Sequence, residues 1–166
     1  MKRLAVTSVL FLFSYSIAAA DFSGPVVSVL DGDTIKVLTG HHTERIRLSG
    51  IDCPEKGQAF GHKAKEATST LVFGKEVTLQ THGKDKYRRT IADVLLLDGS
   101  NVNHELVKDG WCWWYRKYAP GNTTLQRLEA EARESKMGLW LDPHPDRKST
   151  RLNSSHERLS RMPSSA

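Results

Sequence analysis

Cysteine is scarce in this sequence: Cys53 and Cys112 are the only two among 166 residues. Standing apart, they form no paired C-x-x-C pattern, which excludes zinc ribbons and related cysteine cages. None of the seven histidines stands at metal-ligand spacing, and His41-His42 reads as a turn. The apolar run from Leu4 to Ile17 falls short of the roughly 20 residues that cross a bilayer, which argues against a permanent membrane anchor. No internal repeat or linker divides the middle of the chain, so one domain is expected.

Positive charge is also scarcer than the total suggests. The formal net charge is +5, but Lys2 and Arg3 hold two of those charges and the stretch from Arg147 holds a net four, leaving Asp21 to Asp146 at −1. A pI near 9.3 is therefore no argument that the folded part binds polyanions; that case must rest on where charges cluster. Lys2-Arg3, the apolar run and Ala18-Ala19-Ala20 have the form of a secretory signal peptide over residues 1–20, with cleavage expected after Ala20. Export then leaves the protein periplasmic or secreted, with no membrane attachment. Residues 147–166 are rich in Ser and Arg and poor in large apolar groups, too little to offset ordering entropy. They are expected to be disordered and resemble a translated adaptor scar; a genuine basic tail is the alternative. The domain is thus expected over 21–146. In an oxidising compartment Cys53 and Cys112 can pair, and two buried thiols are the other reading.

What is present inside those limits is a run of short strands. Pro25 to Leu30 and Thr34 to Thr39 flank Asp31-Gly32-Asp33, a strong hairpin signal. Thr43 to Ile51 alternates, with Pro54 ending that strand, and Glu76 to Thr81 and Thr90 to Leu97 follow. Helices are expected over Gln58 to Val72, from an Asn101 cap through Val107, and from Asn122 or Thr123 to the stop at Gly138. About five strands with this helix order predict an α+β fold: a five-stranded OB-type β-barrel with three helices.

Four clusters carry possible chemistry. Asp31-Gly32-Asp33 alone is an ordinary hairpin corner, and it lacks the ligands of an EF-hand loop. Asp52-Cys53-Pro54-Glu55, at a strand exit, pairs two carboxylates; with Asp33, Asp52 makes a pocket for a hard cation, and Glu55 can orient or deprotonate a neighbouring water. Arg47 lies on the strand leading to Asp52, on the face opposite Ile46 and Leu48. Lys84-Asp85-Lys86-Tyr87-Arg88-Arg89 lies between two strands; taken alone it is a solvated loop. Together the clusters supply what phosphodiester hydrolysis requires: charge neutralisation, a carboxylate for water and two guanidinium forks for phosphate oxygens.

LDGDTIKV, RIRLSGIDCPE, DKYRRT and NVNHELVKDGWCWWYRKY resemble the staphylococcal nuclease (thermonuclease) family of secreted calcium-dependent nucleases, from about Val26 to Trp140. The resemblance implies an OB barrel with three helices that cleaves DNA and RNA with little sequence preference and leaves 3′-phosphates. It implies Asp33, Asp52 and the Cys53 backbone carbonyl as calcium ligands, Glu55 as general base and Arg47 and Arg89 as the transition-state clamp. Lys86 and Tyr87 would contact substrate, and Asp31 would lie beside the metal without binding it. Arg88 stands where the family usually has Gly, either tightening the loop or adding a phosphate contact. The family topology brings the strand end near Cys53 close to Cys112, which favours a disulfide between them. No stable protein partner is implied, and a monomer is expected.

Trp111, Trp113 and Trp114 are read as packing residues, with Tyr115 or Tyr118 reaching towards the nucleotide site. Two rival readings remain. A nucleic-acid-binding module on the same barrel, without catalysis, would not need the full set Asp33, Arg47, Asp52, Glu55 and Arg89. An exported scaffold explains neither the paired carboxylates nor the arginines.

Overall fold

Alternating strands close on themselves in the computed structural model, which describes residues 21–145. The expected signal peptide and the 147–166 tail lie outside the described residues. The strands β1 (Phe22–Asp31), β2 (Thr34–Thr39), β3 (His42–Leu48), β5 (Glu76–Lys84) and β6 (Thr90–Leu96) form a closed barrel in the order β1-β2-β3-β6-β5. All neighbours are antiparallel except β3 and β6, which run parallel. This is the α+β OB architecture expected from the strand and helix order. The period-2 pattern sets its core: Ile35, Val37, Ile46, Leu48, Val77, Leu79, Ala92 and Val94 point inward and are each 1% exposed or less.

Three helices surround the barrel: α1 (Gly61–Val72), α2 (Val102–Lys108) and α3 (Thr123–Glu134). Asn101 and Asn122 cap α2 and α3, their side chains accepting from the N–H of His104 at 3.1 Å and of Leu125 at 2.9 Å. In α1, the Thr68 hydroxyl donates to the Gly32 carbonyl at 2.6 Å and fastens the helix to the turn between β1 and β2. Asn103 of α2, fully buried, accepts from the Val94 N–H at 3.1 Å and donates to the Ser49 carbonyl at 3.0 Å, tying the end of β3 to β6.

Two expected boundaries are corrected. Thr43 to Ile51 is not one strand. β3 ends at Leu48, Gly50 turns the chain at φ +67°, and Ile51–Asp52 becomes a separate strand, β4, paired with β7 (Trp113–Trp114). Gly50 also sits where a Cβ would press on Leu125 and Ala119. The first helix starts at Gly61 rather than Gln58. Gln58 is spent on a turn, its side chain accepting from the Glu55 N–H at 2.7 Å and its own N–H donating to the Glu55 carbonyl at 2.8 Å. Phe60 then takes a left-handed φ of 63°, which a helix interior does not allow.

Candidate active site

Strand register decides which side chains meet. Thr34 opens β2 directly opposite Arg47 on β3, and the Leu48 N–H donates to the Asp33 carbonyl at 2.9 Å. Asp33, one residue before β2, is thereby held beside Arg47. Ile46 of β3 pairs with Thr90 of β6, so Arg89, one residue before that strand, arrives at the same rim. Asp52 enters from β4, held opposite Trp113 of β7.

The Arg47 guanidinium joins the two acids. Its Nη2 lies 3.1 Å from Asp33 Oδ2 and 3.4 Å from Asp52 Oδ1, while Nη1 donates to the Leu48 carbonyl at 3.0 Å. The Arg47 side chain is 14% exposed, and those of Asp33 and Asp52 are 11% and 18% exposed, so water screens these pairs far less than surface ones. Asp33 also accepts from the Thr34 hydroxyl at 3.0 Å and the Cys53 N–H at 3.1 Å.

Arg89 is held by its own loop. Its Nε donates to Asp85 Oδ2 at 2.7 Å, and its backbone N–H and that of Tyr87 donate to Asp85 Oδ1, each at 2.9 Å. Burial works to raise the Asp85 pKa, but the Arg89 N–H and guanidinium and the Tyr87 N–H outweigh it and hold the carboxyl below its ordinary range. Arg89 Nη1 also donates to the Thr34 hydroxyl at 3.4 Å, so Thr34 links Asp33 to Arg89. At the foot of the loop, hydrogen bonds from Lys84 at 2.8 Å and Thr90 at 2.6 Å lower the Glu44 pKa.

Cys53 and Cys112 form a disulfide, with Cα atoms 4.2 Å apart and a sequence separation of 59. The bond ties the loop after Asp52 to the segment preceding β7. A Cβ on Gly32 would lie 2.8 Å from Cys53 Cβ, so only glycine lets the β1–β2 turn close against this bond. Glu55 stands on the exposed turn three residues beyond Asp52, and its carbonyl packs against Gly61 so closely that no side chain fits there. Lys86 Nζ and the Arg89 guanidinium lie 4.9 Å and 5.6 Å from the Tyr87 ring centre, and Tyr87 is 67% exposed.

Trp113 and Trp114 are buried and Trp111 is half-buried against the core, the packing role expected of them. Tyr115 and Tyr118 meet edge to face at 4.8 Å; Tyr118 is the exposed member, and the Tyr115 N–H donates to the Gly50 carbonyl at 2.8 Å. Asp31 pairs through its backbone with Thr34.

Among the described residues, no three His, Cys, Asp or Glu side chains converge as a metal cage. The donor set nevertheless fits a calcium ion. Asp33 and Asp52 point at one cationic nitrogen, and two carboxylates against one guanidinium leave surplus negative charge. Calcium completes such a set with backbone carbonyls and waters, and the Cys53 backbone already folds onto Asp33.

Two participants were not singled out in the sequence. Thr34 reads as an ordinary strand residue, and only the β2–β3 register reveals its position. Asp85 reads as part of a solvated charge run, although its four-residue spacing from Arg89 was a usable signal.

Acids and arginines gathered at one rim of a closed five-stranded barrel define an OB-fold domain with a mixed-charge site. The family model described as "Staphylococcal nuclease homologue" matches residues 45–142, which include Arg47, Asp52, Glu55 and Arg89. An "Uncharacterized endonuclease" of Escherichia coli O157:H7 is 43% identical over 143 residues, covering 86% of this chain and 93% of the relative. A "Micrococcal nuclease" of Shigella flexneri is 41% identical over 149 residues, covering 84% and 86%. An "Uncharacterized endonuclease" of Haemophilus influenzae is 40% identical, covering 87% and 82%. The chain belongs to the staphylococcal nuclease family.

Proposed function

We propose that this protein is an exported, monomeric, calcium-dependent nuclease that hydrolyses phosphodiester bonds of DNA and RNA with little sequence preference, leaving 3′-phosphates. The observation that carries the reading is the convergence of Asp33 and Asp52 on Arg47, with Arg89 linked to the same site through Thr34. Membership of the nuclease family supports the general activity. The disulfide supports export, since such bonds persist in oxidising compartments.

Asp33, Asp52 and the Cys53 carbonyl would hold calcium, which when bound neutralises charge on the phosphate and makes a nearby water easier to deprotonate. Glu55 takes a proton from the attacking water as its oxygen bonds to phosphorus and the bond from phosphorus to the 5′-oxygen breaks, that oxygen leaving with a proton from solvent. The exposed turn of Glu55, three residues beyond Asp52, is fastened through the Glu55 backbone by Gln58 and Gly61. Arg47 and Arg89 present planar forks to the phosphate oxygens, where negative charge builds as the water attacks. Both are anchored beforehand by carboxylates, so little reorganisation is required during reaction. Lys86 and Tyr87 hold the strand beside the scissile bond, Tyr87 through its exposed ring. No sequence preference is needed, because these contacts address phosphate and the π-face common to every base.

Digestion of single-stranded DNA and of RNA, with calcium and with excess chelator, tests the reading. Cleavage in calcium to 3′-phosphate ends, abolished by chelator, is expected. Intact substrate in calcium would overturn the nuclease reading, and cleavage surviving chelation would overturn the calcium assignment alone.

A further inference from the structure

We propose that Arg88 is a further substrate-binding residue, its guanidinium gripping a backbone phosphate of the strand next to the scissile bond. The inference rests on the nuclease reading above and adds a contact to its site.

The backbone supplies the first observation. Arg88 has φ +63°, in the left-handed region where a Cβ crowds the main chain and glycine is favoured. Other groups fix this conformation. The Arg88 N–H donates to the Asp85 carbonyl at 2.9 Å, the Asp85 N–H donates to the Arg89 carbonyl at 2.9 Å, and the Asp85 carboxylate collects Tyr87 and Arg89. The arginine side chain contributes nothing to the turn. It is exposed, and among the described residues its guanidinium has no hydrogen-bond or ion-pair partner. Within the fold, a glycine would serve the position with less strain. Strain held at the edge of a site, without return inside the fold, points to work done on something outside it.

Charge supplies the second observation. Of the cations in this loop, Lys84 is paired with Glu44 and Arg89 with Asp85, the segment's single acid. Arg88 is therefore its unengaged guanidinium, one residue from the clamp and one from Tyr87. Because the domain as a whole is near neutral, a free fork here acts as a local phosphate site rather than as part of a general basic field.

The test uses wild type, Arg88→Gly, Arg88→Asn and Arg88→Lys on a labelled single-stranded oligonucleotide. Cleavage is followed in calcium and binding in excess chelator, each across a salt series. The Gly and Asn variants are expected to weaken binding and raise KM about fivefold, and to flatten the salt dependence by about 0.7 in log–log slope, the value of one single-strand phosphate contact. Arg88→Lys keeps the charge and should retain the wild-type slope. Wild-type binding and slope in Gly and Asn, with cleavage intact, would overturn the Arg88 contact and leave the nuclease reading standing. Weakened binding in these variants with no cleavage by any protein would overturn the nuclease reading and leave the contact.

Discussion

Arg47 Nη2 stands 3.1 Å from Asp33 Oδ2, and this pair joins the start of β2 to the end of β3 at the rim where the acids and arginines gather. The register that places Thr34 opposite Arg47 makes the contact a consequence of barrel closure rather than of loop sampling. The same guanidinium reaches Asp52, so its planar geometry should matter as much as its charge. Arg47→Lys preserves the charge but cannot serve both acids and a phosphate together. A fall in kcat of roughly 10²–10³ is expected, the usual loss for one preorganised transition-state donor. Steady-state kinetics beside circular dichroism checks it; a kcat within threefold of wild type would remove the clamp role.

Asp85 should act through Arg89. Asp85→Asn keeps an acceptor but loses the charge that fixes Nε, and a roughly tenfold fall in kcat is expected from a clamp that is less well oriented. A variant as fast as wild type would show that Arg89 needs no such anchor.

Acid should loosen this rim before the core. Asp85 and Glu44 both have folded-state pKa values below their ordinary 3.8 and 4.5. A depressed carboxylate contributes stability that is fully present above the unfolded value and lost as pH falls through the folded one. Melting temperature should therefore be insensitive to these two groups above about pH 5 and decline below pH 4.5. Glu44→Gln should shrink that acid-side decline, and an identical pH profile in the variant would contradict the linkage.

The disulfide should stabilise both the fold and the loop proposed to hold calcium. Closing a loop of 59 positions removes denatured-chain entropy worth about 4 kcal/mol. Reduction should lower stability by an amount of that order and weaken calcium binding, because Cys53 also holds Asp33 through its N–H. Thiol titration of the unfolded, unreduced protein should find no free thiol, and two after reduction. Two free thiols beforehand would rule the bond out.

Arg88→Gly should also stabilise the fold. Relief of left-handed strain, partly offset by glycine's greater freedom when unfolded, should yield about 0.5–1 kcal/mol. Denaturant titration measures it, and a destabilised variant would contradict the strain.

Much of this was legible in the sequence, for physical reasons. The Asp-Gly-Asp corner and alternating β-branched residues specify β1 to β3, and Asn101 and Asn122 announce their helices by capping. The acids and arginines were legible as residue types suited to phosphate chemistry, but their meeting was not. It depends on Thr34 lying opposite Arg47 and Ile46 opposite Thr90, long-range pairings that no local period encodes. β4 and β7 were invisible because two residues show no alternation. The late start of α1 was hidden because Gln58 and Phe60 fit a helical period while serving a turn and a left-handed step.

The most direct measurement of the central claim is single-turnover cleavage of single-stranded DNA in calcium by wild type and by Glu55→Ala. The account predicts rapid cleavage by wild type and a rate lower by roughly 10²–10⁴ in the variant, the usual contribution of general-base catalysis. A Glu55→Ala protein as fast as wild type would contradict it.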